Sequence, residues 1–263
     1  MCIGKLITQK LGFAKNETKF CRTVYTTTLT QTEENYLKAL LKLTEESAIP
    51  AVGTNELALH LGVKPATVTD MLKRLRDKAL VSYEKYGKIS LTDNARSLAI
   101  DVIRKHRLWE TFLCRNLGFS WHQVHEIAEQ LEHVQSVELI DRLDAFLGFP
   151  KIDPHGDLIP SKDGVFHVRP KRTLSMLGVS QTAVMVGVGD NSASFLQYVD
   201  EVGLRLGTDI WVKGIQPYDA LIEIVIDGKS ITISQKFAAQ IFVGAKSADQ
   251  EFLDLGLDRE GDL

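Results

Sequence analysis

A chain of 263 residues can bury two modest cores or three small ones, and 44% hydrophobic with 25% charged residues is the balance of an ordinary globular protein rather than a disordered one. A formal charge of -3 and the lack of any apolar run near the ~20 residues of a bilayer span speak against a membrane protein. Three scattered cysteines, Cys2, Cys21 and Cys114, speak against a disulfide framework, so a reducing, cytoplasmic setting is expected.

Residues 1–28 are basic but lack the continuous apolar core of an export signal, and read as a mobile N-terminal extension. "TQTEENYLKALLKLTEES" opens on threonines suited to capping and spaces Tyr36, Leu37, Leu40, Leu41 and Leu43 as a helix does. "GTNELALHLGV" predicts a short second helix from a Thr54 cap to Gly62. "KPATVTDMLKRLRDKAL" predicts a third, with Pro65 in its tolerated first turn and Val68, Met71, Leu72 and Leu75 facing inward. "VSYEKYGKISLT" alternates around Gly87 and reads as a small hairpin. This order is that of a winged helix-turn-helix over residues 29–95, whose third helix enters a major groove.

The charge distribution favours that reading. Between Lys64 and Arg107 there are eleven basic residues against five acids, whereas the stretch from Asp249 has six acids against Arg259 alone. On the third helix and wing, Lys64, Pro65, Thr67, Thr69, Asp70, Lys73, Lys85 and Lys88 are the candidate DNA contacts. Thr69 and Asp70 are suited to base edges, and Lys73, Lys85 and Lys88 to phosphates. The alternative is a helical packing module that touches only protein.

From Thr92 the pattern is strongly helical, with Gly118 and Gly148 as stops and Ser120 and Ser136 as starts, giving a helical domain over residues 96–160. Its apolar surplus, including Trp109, Phe112, Leu139 and Phe146, points to a twofold interface and hence a homodimer. "PKIDPHGDLIPSKDG" ends the helical pattern. "TDIWVKGI", "LIEIVIDGKSITIS" and "AAQIFVG" then read as strands, with Asp227-Gly228 as a hairpin turn, and predict a small β-barrel over residues 173–245 with a short helix near "SASFLQYVDEVGL". Residues 246–263 form an acidic tail. The fold class is therefore mainly α with a small β domain.

"VHEIAEQLEHV" places His125, Glu129, Glu132 and His133 within about a 100° arc of one helix, and "KHRLWE" places His106 and Glu110 at i and i+4 of the helix before it. Imidazole and carboxylate donors on adjacent helices suit a divalent cation. An inter-helix salt-bridge network accounts for the same residues and stays open at this point. His122 and Glu126 fall off the arc, and His60, His155 and His167 have no partner in the pattern and read as structural or exposed.

Catalysis finds no support. The Glu-x-x-His repeat of helical di-metal oxidases is absent, and "HEIAE" carries Glu where a zinc protease needs its second His. A serine elbow, a phosphate-cradling loop and a Cys-x-x-Cys pair are also lacking, so the chain is not read as an enzyme, and no organic cofactor is implied.

A winged helix followed by "RKHRLWE", "VHEIAEQLEHV", "PHGDLIP" and a small barrel resembles the metal-dependent repressor family of the diphtheria toxin repressor and the manganese transport regulator, over about Leu29 to Gly244. The resemblance implies a homodimer that binds a palindromic double-stranded operator, controls metal homeostasis and takes two ions, Mn²⁺ or Fe²⁺, per subunit. By that likeness the primary site is Glu129, Glu132 and His133 with a first-helix residue, and the ancillary site is His106, Glu110 and His125. The barrel resembles the family's SH3-like domain and offers Asp190 as a further ligand. Two departures stand out. Asn35 occupies the position of the family's first-helix Asp or Met, with Glu34 beside it as a substitute. Lys38 stands where some manganese regulators carry a second Glu, which speaks against their paired two-ion arrangement. The alternatives are a metal-independent winged-helix regulator and a helical metalloenzyme.

Overall fold

The computed structural model describes residues 29–46, 52–83, 88–167 and 172–245. The N-terminal extension, Lys85 and Gly87 of the wing, and the acidic tail lie outside them.

The first helix, α1 (Gln31–Leu41), starts where Thr30 accepts the Glu33 N–H while the Glu33 carboxylate accepts the Thr30 N–H, a reciprocal capping box. It runs into a wider turn over Lys42–Glu46, in which the Thr44 hydroxyl donates to the Leu40 carbonyl. Then follow α2 (Thr54–Leu61), which Gly53 rather than Thr54 caps, and α3 (Pro65–Asp77), with Pro65 in its first turn. The hairpin pairs β1 (Val81–Tyr83) with β2 (Ile89–Leu91), Val81 opposite Leu91. Leu37, Leu40, Leu57, Val68, Leu72, Leu75 and Ile89 close a core beneath α3, which leaves the polar side of that helix outward.

The longest element is α4 (Asp93–Leu117), begun by a Thr92 cap and ended by Gly118 in the left-handed conformation. Its N-terminal half, with Ala95, Ala99, Ile100 and Ile103, belongs to the winged-helix core, and its C-terminal half carries Leu108 and Leu113 into two smaller cores. One rigid element thus runs through both domains. Next come α5 (Val124–Leu131) and α6 (Val137–Phe146), the latter capped by Ser136 as expected. Ser120 does not start α5; it sits in a turn, and Gln123 is the residue before the helix. Val137, Leu139, Phe146 and Phe149 stay exposed on this side of the chain.

The segment after α6 ties the helical body to the C-terminal domain. Ile152 and Leu158 bridge each other and pack with Val184, Val186 and Phe242. Gly156 makes this approach possible: its φ is +88°, and a Cβ there would stand 2.1 Å from the Val186 carbonyl oxygen. The C-terminal domain comprises β3 (Arg172–Thr173), β4 (Thr182–Val188), α7 (Ala193–Val202), β5 (Asp209–Gln216), β6 (Leu221–Ile226), β7 (Lys229–Ser234), α8 (Gln235–Ala238) and β8 (Ile241–Gly244). Its six strands form one sheet in the order β3-β8-β4-β5-β6-β7. Register shifts at Met185/Gly187 and Val212/Gly214 bend β4 and β5, as an SH3-like fold needs. Asp227 and Gly228 both have positive φ, 47° and 77°, and close the β6–β7 hairpin. Among the described residues no helix is long and apolar enough to cross a membrane.

Candidate metal centre

Two turns of α4 set His106 and Glu110 inside the protein, 4% and 1% exposed. His106 Nε2 lies 2.8 Å from Glu110 Oε1 and 3.2 Å from His125 Nδ1 on α5, and His125 Nδ1 is itself 3.1 Å from Glu110 Oε1. The ligand atoms of these three residues fall within 4.8 Å of one another. The other His106 nitrogen, Nδ1, donates to Glu132 Oε2 at 2.5 Å. A carboxylate on one ring nitrogen fixes the tautomer and turns the opposite nitrogen toward the cluster, an arrangement common behind metal-binding imidazoles. Burial opposes charge on His106, but Glu110 and Glu132 on its two sides outweigh it and hold its pKa above the ordinary value. For Glu110 burial pulls upward, yet the charges of His106 and His155 dominate and hold it well below the usual carboxylate range.

The second oxygen of Glu110 faces another group. His155 Nδ1 lies 3.5 Å from Glu110 Oε2, and Asp153 joins them in a fully buried triad whose ligand atoms also fall within 4.8 Å. Of the two readings of His155, structural or exposed, the exposed one is excluded: it is 1% exposed and lies against Glu110. Its Nε2 donates to the Trp121 carbonyl at 2.9 Å and its ring stacks on Trp121, so the orientation is fixed and the buried Nδ1 has Glu110 Oε2, at 3.5 Å, as its ion-pair partner but no well-formed hydrogen bond. Burial opposes charge on His155, but Glu110 and Asp153 push it up to about 9. Burial, then the charges of Glu110 and Asp157, push Asp153 up to about 7. Arg107, one residue beyond His106, holds this loop: it donates to the Leu158 carbonyl at 2.7 Å and lies 3.5 Å from Asp153 and 3.3 Å from Asp157. The sequence signal for this second triad was the "DPHGD" turn, but nothing local linked it to α4.

The set expected at the end of α5 is arranged differently. The helix stops at Leu131, so Glu132 and His133 sit in its final turn rather than on a continuing wheel. Glu132, fully buried, accepts from Lys38 Nζ of α1 through both oxygens, at 2.7 and 2.9 Å. Burial raises the Glu132 pKa, but His106 and Lys38 together bring it below the ordinary value. His133 Nδ1 meets Glu34 Oε2 at 2.5 Å, and Gln135 donates to the other Glu34 oxygen at 2.8 Å. Asn35 is exposed; Glu34 is the α1 residue that meets His133. Glu129 is half-exposed, 3.7 Å from Lys38 and 3.6 Å from His125. Asp190 accepts the Ser192 N–H ahead of α7 at 2.8 Å and is in neither metal-competent triad.

Buried donor atoms, an imidazole nitrogen without a hydrogen-bond partner and only nitrogen and oxygen in the triads fit a hard or borderline divalent cation around Glu110. Cys114, the one cysteine among the described residues, is in neither group.

On α3, Lys64, Pro65, Thr67, Thr69, Asp70 and Lys73 are all exposed, as is Lys88 on the hairpin. Thr69 is partly engaged, its hydroxyl donating to the Pro65 carbonyl, and Lys73 lies 3.3 Å from Asp70. Arg76 sits over the Tyr83 ring at 5.8 Å, linking the helix to the hairpin.

Comparison with known proteins agrees with this geometry. Residues 28–89 match the iron dependent repressor N-terminal DNA binding domain, residues 92–161 the metal binding and dimerisation domain of the same repressors, and residues 172–245 the FeoA domain. A manganese-dependent transcriptional repressor in complex with manganese is similar with a TM-score of 0.74 and 34% identity, over 81% of this chain and 99% of that one. The manganese regulator SloR is similar with a TM-score of 0.68 and 30% identity, over 83% of this chain and all of that one. The iron-dependent repressor IdeR of Mycobacterium tuberculosis is 35% identical over 132 residues, which are 50% of this chain and 56% of IdeR, so the chain spans about half the length of that relative. With two consecutive repressor domains matched and similar structures covered almost end to end, the chain belongs to the iron-dependent repressor family of DNA-binding, metal-dependent regulators.

Proposed function

We propose that this protein is a homodimeric transcriptional repressor that senses Mn²⁺ or Fe²⁺ and, when loaded, binds a palindromic operator to control metal-ion homeostasis in the cytoplasm. The observation that carries the reading is the convergence of His125 of α5 with His106 and Glu110 of α4, the helix that also forms part of the winged-helix core. His106, Glu110 and His125 hold one ion, and Glu110 with Asp153 and His155 offers a second, adjacent place. A cation held there would supply the positive charge that the Glu110 and Asp153 carboxylates share. To ligate it, His106, His155 and Asp153 would release their protons to solvent, while Glu132 keeps His106 aimed and Arg107 keeps the Asp153 loop seated against α4. An oxygen and nitrogen donor set without sulfur suits both Mn²⁺ and Fe²⁺. The exposed row on α3 meets the major groove, with Lys73 and Lys88 against phosphates. The uncovered apolar residues Val137, Leu139, Phe146 and Phe149 support a twofold partner on that face.

Coupling follows from linkage: an ion that binds the DNA-competent arrangement better raises DNA affinity by the same factor by which DNA raises its own. The test is fluorescence anisotropy on operator DNA selected from random sequence, titrated anaerobically with Mn²⁺, Fe²⁺ and Zn²⁺. Mn²⁺ or Fe²⁺ raises operator affinity by at least ~10-fold, within the usual range of allosteric coupling. Equal affinity with and without every metal rejects the reading.

A further inference from the structure

We propose that Lys38 is a built-in cation that takes the place of a metal ion between α1 and α5, so that Glu129, Glu132 and His133 hold no divalent ion in this protein. The proposal deepens the metal-sensing reading by confining ion uptake to the neighbourhood of Glu110.

Glu132 has two oxygens, and both are committed. Lys38 Nζ stands 2.7 Å from one and 2.9 Å from the other, and His106 Nδ1 also donates to the second. The Lys38 and Glu132 side chains are 9% and 0% exposed, so the ammonium is held in the interior rather than swinging through solvent. A divalent ion on Glu132, at the ~2.0 to 2.3 Å typical of carboxylate ligation, would lie against that ammonium where little water screens their repulsion. An ammonium has three protons and no lone pair, so it offers such an ion nothing in return. Around Glu110 the neighbours are imidazoles, which can release a proton and become ligands. The difference between the two places is chemical, not only steric.

The other members of the set are engaged in the same pattern. Glu34 and Lys38, one turn apart on α1, face His133 and Glu132 at the end of α5, so each α1 charge meets an opposite or hydrogen-bonding group. Gln135 takes the remaining Glu34 oxygen. Reciprocal pairing of this kind balances the site without an ion. It also fastens the winged-helix domain to the helical body through contacts already made by the protein alone.

The experiment counts Mn²⁺ per protomer at saturation, by equilibrium dialysis of the full chain, for the parent, K38Q, K38R and the double variant K38Q with E132Q. K38Q takes up one more ion per protomer than the parent, K38R takes up none in addition, and the double variant loses the extra ion. Equal uptake by the parent and K38Q overturns the proposal. Should K38Q fail to fold by circular dichroism, E129Q decides instead, since Glu129 is half-exposed: an unchanged ion count supports the proposal, and loss of one ion overturns it. A parent that binds no Mn²⁺ beside a K38Q protein that binds one keeps this proposal and removes the metal-sensing reading around Glu110, so the two fail separately.

Discussion

On one side of His106, Glu110 gathers His125, His155 and Asp153; on the other, Glu132 gathers Lys38, with the Glu34–His133 pair alongside. Both regions are buried, both draw on two or more segments, and both consist largely of carboxylate and imidazole. They differ in where a fixed cation sits: the Lys38 ammonium lies on Glu132 itself, whereas Glu110 faces imidazoles and the Arg107 guanidinium reaches that cluster at Asp153, 3.5 Å away. An imidazole can exchange a proton for a metal, whereas an ammonium cannot. On the reading proposed above, the two explanations that residue types leave open for these helices, metal centre and salt bridges, each apply to one half of the same region.

The difference can be broken most forcefully at Glu132. Glu132→Ala leaves the buried Lys38 ammonium with only the half-exposed Glu129 at 3.7 Å, and the chain loses about 3–5 kcal/mol of stability in a denaturant melt. Adding Lys38→Met recovers part of that loss, because the stranded charge is what costs. A loss below about 1 kcal/mol for Glu132→Ala contradicts a tightly held pair. At the other cluster Glu110→Gln is read on the ion, since the imidazoles it leaves behind can shed their protons and the fold loses less than at Glu132. Mn²⁺ affinity by isothermal calorimetry falls by at least ~100-fold, the upper end of what losing even an outer-shell partner costs. Arg107→Gln loosens the loop that carries Asp153 and His155 without removing a ligand, and lowers Mn²⁺ affinity by about 10-fold. Asp190→Ala has the smallest effect. It removes an acceptor for the Ser192 N–H and costs under ~1 kcal/mol of stability, while Mn²⁺ affinity stays within about twofold. A large loss of metal affinity there would bring the C-terminal domain into the ligand set.

Much of the architecture was legible because it rests on local rules. The Thr30 and Ser136 caps, Pro65 at the start of α3, Gly118 after α4 and the Asp227-Gly228 turn each fix their element within a few residues. The strand β4 has no such signature: "TAVMVGV" is buried along nearly its whole length, so the alternation that marks a half-exposed strand is missing. Helical spacing paired His106 with Glu110 and set His125 on a second helix with Glu129, Glu132 and His133; grouping His125 with His106 and Glu110 needed the family resemblance. The Lys38–Glu132 pair spans 94 positions, and His155 reaches Glu110 only because Gly156 lets its loop press on β4. Neither contact leaves a periodic trace. Helical spacing also placed Glu132 and His133 on one arc with His125, because it assumed that the helix ran on past Leu131.

The length of α4 has a mechanical consequence. From Glu110 to its first residue, Asp93, the helix extends about 25 Å, at 1.5 Å per residue. Its leading half is embedded in the core that supports α3. A tilt of about 5° pivoting at Glu110 would displace the far end by about 2 Å. On the proposed reading, a sub-ångström adjustment among donor atoms would in this way be geared up into a change of pose of α3 at the other end of the lever.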